Sequence, residues 1–167
     1  MSMIQGMLQE LEIEAVATRR LLERVPHDKL GWKPHDRSMS LGQLAMHVAT
    51  VPGAVASMSQ LPSMPVPKFS QGAVDNAAQL VPLLDESLAT ARTVLGPLDD
   101  AALGRVWKMV DGDREILVLP VGALLRTLML NHWYHHRGQL SVYLRELNVP
   151  LPSIYGPSAD TNPFAMA

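Results

Sequence analysis

Apolar residues recur at alternating steps of three and four in four separate stretches of this chain, and that period commits most of it to amphipathic helices. The first stripe is Ile4, Met7, Leu11, Ala15, Thr18, Leu22 and Val25, with Glu10, Glu12 and Glu14 off it and Pro26 at its end. The second opens at Ser40, where Ser-Leu-Gly-Gln has the form of a capping box, and runs through Leu44, His47, Val51, Val55 and Met58. Pro52 and Gly53 fall inside it and predict a bend or a local opening. The third stripe is Val74, Ala77, Val81, Leu84, Leu88, Ala91 and Leu95, expected to kink at Pro82 and to end at Gly96-Pro97. The fourth helix is expected to begin near Pro120 and to run to about Leu147, stopped by Asn148 and Pro150.

The connections carry their own signals. Residues 61–70 contain Pro62, Pro65 and Pro67, a composition that predicts an extended crossover loop. Residues 106–110 and 115–119 are β-prone and flank Asp111-Gly112-Asp113, so a small hairpin is expected before the last helix. The expected fold is therefore all-α: a four-helix bundle with a crossover connection and a small β-hairpin, built as one domain over residues 1–167.

Several functional classes are disfavoured by composition. Hydrophobic residues make up 47% and charged ones 18%, which is the balance of a globular protein rather than a disordered one. A formal net charge of -2 offers no basic field for phosphate backbones, so nucleic acid is not expected as the main partner. With no cysteine, any metal must be held by nitrogen and oxygen. The opening residues lack a basic flank and an apolar signal core, and the uncharged apolar run 116–125 is too short for a bilayer. No membrane association and a cytoplasmic location are expected.

Chemistry concentrates in residues 131–140, Asn-His-Trp-Tyr-His-His-Arg-Gly-Gln-Leu, which hold three of the six histidines. His132 and His136 are spaced i,i+4 and project from nearly the same side of a helix, where two imidazoles can share one ion. Leu124, Leu128, His132, His136, Leu140, Tyr143 and Leu147 form one stripe, whereas His135 lines up beside it with Gln139, Val142 and Glu146. That phase predicts that His132 and His136 face inward, as His47 does on the second helix. Three core imidazoles on two helices are costly unless they bind something in common. The competing reading is three separate core histidines, each hydrogen-bonded to a neighbouring hydroxyl or carbonyl.

Three stretches then resemble a known family. Residues 31–47, Gly-Trp-Lys-Pro-His-Asp-Arg-Ser-Met-Ser-Leu-Gly-Gln-Leu-Ala-Met-His, residues 131–140, and the tail 149–160, Val-Pro-Leu-Pro-Ser-Ile-Tyr-Gly-Pro-Ser-Ala-Asp, are similar to signatures of the DinB-like family of metal-dependent four-helix-bundle proteins. The resemblance covers nearly the whole chain. It implies that one histidine of the second helix and the His-x-x-x-His pair of the fourth hold a divalent metal, which maps onto His47, His132 and His136. Three neutral imidazoles suit zinc or nickel, with iron also compatible, and three protein ligands leave positions for water or substrate. The resemblance further implies a small-molecule substrate, with a low-molecular-weight thiol as a candidate, and a homodimer.

Other residues are weaker candidates. His135 reads as a helix-surface histidine, and Arg137 as a salt-bridge partner for a residue such as Glu10 or Asp160. Gln139 could donate to a ligand, Gly138 could admit a neighbouring backbone, and Trp32 and Trp133 could line a pocket or simply pack. His27 and His35 lie in a polar connector and are given no role. Two function classes stay open: a metal-dependent transferase or hydrolase acting on a small molecule, for which the family resemblance implies a thiol-dependent transferase or isomerase, or a non-catalytic, stress-related dimeric bundle with a structural or weak metal site. No carboxylate occupies the metalloprotease position between the paired histidines, where Trp133 stands, so peptide hydrolysis is not expected.

Overall fold

A computed structural model describes residues 2–67 and 72–165. Three long helices, α1 (Met3–Leu22), α2 (Leu41–Met58) and α3 (Leu80–Leu95), are followed by a short α4 (Asp100–Leu103). The fourth long helix is continuous over residues 121–146: α5 (Val121–Leu124), a π-helical stretch (Leu125–Asn131) and α6 (His132–Glu146). The four-helix bundle expected from the stripes is therefore present. Both α1 and α2 open on capping boxes, Ser2 with Gln5 and Ser40 with Gln43, in which each serine accepts from the glutamine N–H and each glutamine side chain accepts from the serine N–H. At the far end of α6, Asn148 adopts φ 57°, and its N–H and that of Val149 bond the Arg145 and Leu144 carbonyls at 2.9 Å each, a Schellman closure.

The hairpin is also present, as β2 (Val106–Asp111) and β3 (Arg114–Pro120), with a bulge between Met109 and Val110. Gly112 has φ 59° while Asp113 stays negative, the sign pattern of a type II′ turn with glycine at its first position. The crossover segment differs from a plain loop: Ser63–Pro65 forms β1, pairing parallel with β2, while residues 68–70 of that segment lie outside the described residues. Two further expectations are corrected. α3 starts at Leu80 rather than near Val74, because Asn76 caps a 3-10 turn at Ala77–Gln79 first. Pro82 then sits in the first turn of α3, where its missing N–H has no partner to lose, so it causes no interior break.

Pro52 does not open α2, which runs unbroken to Met58. Proline at this position removes the donor that would reach the carbonyl four residues back, that of Val48. The indole Nε1–H of Trp133 takes its place, donating to the Val48 carbonyl at 2.7 Å from a fully buried ring. The N–H of Gly53 donates to Ser87 Oγ at 2.8 Å, and Ser87 Oγ donates to the Thr50 carbonyl at 3.1 Å, tying α2 to α3. A Cβ on Gly53 would lie 2.7 Å from the Ser87 carbonyl oxygen, so glycine permits this close crossing. Trp107, also fully buried, donates its indole N–H to the Met58 carbonyl at 3.2 Å, which anchors the hairpin on the last turn of α2.

Trp133→Phe keeps an aromatic ring but orphans the Val48 carbonyl, and we expect a loss of about 1–3 kcal/mol in unfolding free energy. In a Pro52→Ala background the restored N–H can close that bond within α2, so the same Trp133→Phe change should cost less there. Urea unfolding of the four proteins of this cycle checks the coupling; equal costs in both backgrounds would remove the compensation argument.

Candidate metal centre

His47 projects from the middle of α2, and His132 and His136 from successive turns at the start of α6. The packing of α2 on α6 brings the three rings together. Each offers a ring nitrogen, and these atoms all lie within 4.8 Å of one another. The Nε2 atoms of His47 and His132 are 3.0 Å apart. The ring centroids are separated by 5.2, 4.5 and 4.3 Å, and each pair of rings meets at 84–86°.

The donor set fits a transition metal. A nitrogen pair at 3.0 Å matches two atoms that each approach one shared ion at about 2.1 Å. The Nδ1 of His136 lies 2.7 Å from Gln139 Oε1, so with Nδ1 carrying the proton its Nε2 is left with a free lone pair. Burial holds all three imidazoles toward the neutral form that ligation requires. His47 is pushed down to about 4, by burial first and then by His136 and His132. His132 is lowered by burial and by the nearby His135. His136 is lowered mainly by burial, against the opposing hydrogen bond from Gln139.

The rings face one another between α2 and α6 but are half-buried rather than sealed in the core, which corrects the expected depth of the last helix's histidines. The continuous stripe expected through Leu124, Leu128, His132 and His136 is interrupted by the π-helical stretch, whose wider turn shifts the phase. Downstream of it the buried positions are Trp133, Arg137, Leu140 and Leu144, and the two histidines lie on the neighbouring seam. That placement leaves them reachable. A cleft of about 260 Å³ opens beside them, with His47 and His132 in its wall.

Arg137, only 1% exposed, is the buried charge of α6. It pairs with Glu14 of α1 at 2.6 Å, and neither Glu10 nor Asp160 is its partner. It also donates to the Glu14 carbonyl at 3.1 Å, to Thr18 Oγ1 at 3.3 Å and to the Tyr155 hydroxyl. The guanidinium sits 5.2 Å from the Tyr134 ring centroid and 5.0 Å from that of Tyr155. Glu10 instead receives Arg126 and the Tyr134 hydroxyl, and Asp160 receives Arg145. Gln139 turns its Oε1 to His136 Nδ1. Gly138 is exposed with no neighbour near its missing Cβ, so the expected close backbone approach is absent. His135 is exposed with its ring 5.0 Å from that of His136, Trp32 packs edge-on against Tyr143, and His27 and His35 are exposed. The role of Trp133 toward Val48 was missed in the sequence, although Pro52 four residues on is its signal.

Because burial depresses these imidazoles, metal-free protein has a calculable acid sensitivity. Unfolding releases each ring to its ordinary value of 6.5, so below that pH the unfolded chain binds protons that the folded chain refuses. Stability of the metal-free protein is therefore complete above about 6.5 and should fall as pH drops toward about 4. Urea midpoints across that window, with His47→Gln giving a shallower decline, check this; a flat profile in wild type would contradict the burial of these rings.

Comparison with known proteins follows the same lines. The chain is 28% identical over 159 residues to the uncharacterized protein YrdA of Bacillus subtilis, covering 92% of this chain and 88% of that one. A DinB-like protein from Bacillus cereus superposes with a TM-score of 0.70 at 23% identity, over 90% of this chain and 97% of that one. YfiT from Bacillus subtilis, described as a probable metal-dependent hydrolase with an unusual four-helix bundle topology, superposes with a TM-score of 0.64 at 16% identity, over 87% and 88% of the two chains. The pattern that defines the DinB family matches residues 1–162, and the chain belongs to that family.

Proposed function

We propose that this protein is a metal-dependent enzyme acting on a small molecule, with a divalent transition metal held by His47, His132 and His136. The observation that carries the reading is the convergence of three half-buried imidazole nitrogens within 4.8 Å of one another. The description of YfiT as a probable metal-dependent hydrolase supports it. Zinc or nickel suits three neutral nitrogen donors best, with iron also compatible. When bound, the ion supplies Lewis acidity and lowers the pKa of a water or thiol beside it.

The side chains around the cluster do the rest. Gln139 orients His136, and the Trp133 bond to the Val48 carbonyl holds α6 against α2, so that His132 faces His47. The cleft beside the cluster, walled in part by His47 and His132, is the space from which a substrate can approach it. Between water and a thiol as the activated group, we favour the thiol. Among the described residues no carboxylate joins the histidine cluster or lines the adjoining cleft, so no side chain there stands ready to direct a water for attack, whereas a thiol with an ordinary pKa near 8.5 is itself a strong nucleophile once its proton is drawn off beside the ion. The reading is thus a thiol-dependent transferase or isomerase, in a cytoplasmic setting and as a homodimer.

A second reading has its own support. Among the described residues no buried polar side-chain atom lacks a partner, so His47 and His132 can satisfy each other, and His136 can use Gln139, without any ion. That would be a non-catalytic, stress-related bundle with a structural or weak metal site.

Metal content of untagged protein separates the two. We expect about one equivalent of a transition metal by mass spectrometry in wild type, and at least a tenfold loss in His136→Ala, because two of three nitrogen ligands hold an ion poorly. Folded protein that takes up no zinc, nickel or iron on dialysis would favour the non-catalytic bundle. Size-exclusion chromatography with light scattering checks the dimer.

A further inference from the structure

The wall of the cleft beside the histidines is apolar to a degree that a site for a purely polar substrate would not need. Apart from His47 and His132 it is built from side chains such as Val55 and Met58 of α2, Met109 of β2 and Leu128 of the π-helical stretch. Thr50 also lines it, but its hydroxyl already donates to the Met46 carbonyl at 2.9 Å. No charged side chain lines it among the described residues. Met58, Met109 and Leu128 are each left partly exposed there, an arrangement that costs hydration free energy unless something covers them. The π-helical stretch adds an independent pointer. Such segments are rare and gather at functional sites. Here the stretch carries Leu128 into the cleft one turn before His132.

We propose that this cleft binds an uncharged apolar portion of the substrate, a short branched alkyl chain or a single aromatic ring, while the reacting group of the same molecule reaches the three histidines. The inference rests on the small-molecule reading above and narrows its substrate class. A volume of about 260 Å³ exceeds the roughly 150 Å³ of a dry cavity known to admit benzene, so a ring bearing a short linker fits. Thioether and leucine side chains suit such a guest because they adapt to its outline without hydrogen bonds to satisfy. The two histidines in the wall set its polar end, so one face of the guest is apolar and the other reactive.

The test uses the full chain with methyl-labelled Met, Leu and Val, in two arms. In metal-free protein, toluene should shift the methyl resonances of Met58, Met109, Leu128 and Val55 and leave those of the far side of the bundle in place. In zinc-loaded protein, benzohydroxamate should bind about tenfold or more tightly than acetohydroxamate, because the same metal-binding head is joined to a larger apolar group. Met109→Lys should abolish the toluene shifts; Ala54→Phe, at an exposed position bordering the same cleft, serves as the deciding variant if the lysine protein does not fold. Toluene shifts absent or scattered over other methyls, or equal binding of the two hydroxamates, would overturn the proposal. If the protein holds no zinc but toluene still shifts the cleft methyls, the cleft stands and the metal reading falls.

Discussion

The bond from the buried Trp133 indole to the Val48 carbonyl sets the register on which the rest of the structure depends. It exists because Pro52 leaves that carbonyl without its helical donor, and a buried carbonyl left unpaired would cost about 1–3 kcal/mol. Val48 follows His47 and Trp133 follows His132, so satisfying one backbone group also places two imidazole nitrogens 3.0 Å apart. A helix that slid by one residue along α2 would lose the hydrogen bond and the histidine cluster together. Stability and the candidate site are coupled through a single contact, and α3 reinforces it through Ser87, whose hydroxyl accepts from the N–H of Gly53, the residue after Pro52.

The last helix carries two kinds of polar burden on adjacent seams. Arg137 is buried as a structural cation, compensated by Glu14, by hydroxyls and by two tyrosine faces that close over it from α6 and the tail. Removing such a partner strands a charge in low dielectric, which is why every contact of the guanidinium is spoken for. His132 and His136 remain half-exposed, because the π-helical stretch turns α6 so that Trp133 and Arg137 face the core instead. The cluster is thus accessible, with an apolar cleft at its edge.

Burial gives the three imidazoles a further property. Rings held neutral are ready to accept a metal, and those same rings make the metal-free fold sensitive to acid, because protonating any of them means placing a charge in a partly dry site with two other ionisable rings beside it. Ligand binding and folding therefore draw on the same free energy, as they do wherever a metal binds the folded state and not the unfolded one.

The sequence by itself determined the four helices, the Ser40 capping box, the hairpin and which three histidines come together, because these follow from periods of two and 3.6 and from turn chemistry acting within a few residues, whereas the Ser2 capping box emerged only with the structure. It also carried enough family signature to place the chain in its family. It did not determine the start of α3, since Asn76 and Pro82 each have two local readings and the choice depends on whether Val74 packs with the helix or ahead of it. It did not reveal the π-helical stretch before His132, after which Trp133, Arg137, Leu140 and Leu144 are the buried positions of the last helix. The partners of Arg137, the indole that replaces the proline donor, the third strand and the apolar wall built by Met109 and Leu128 all join residues far apart in the chain. Such pairings are decided only when helices dock, since each depends on which side chain fills the space another element leaves open.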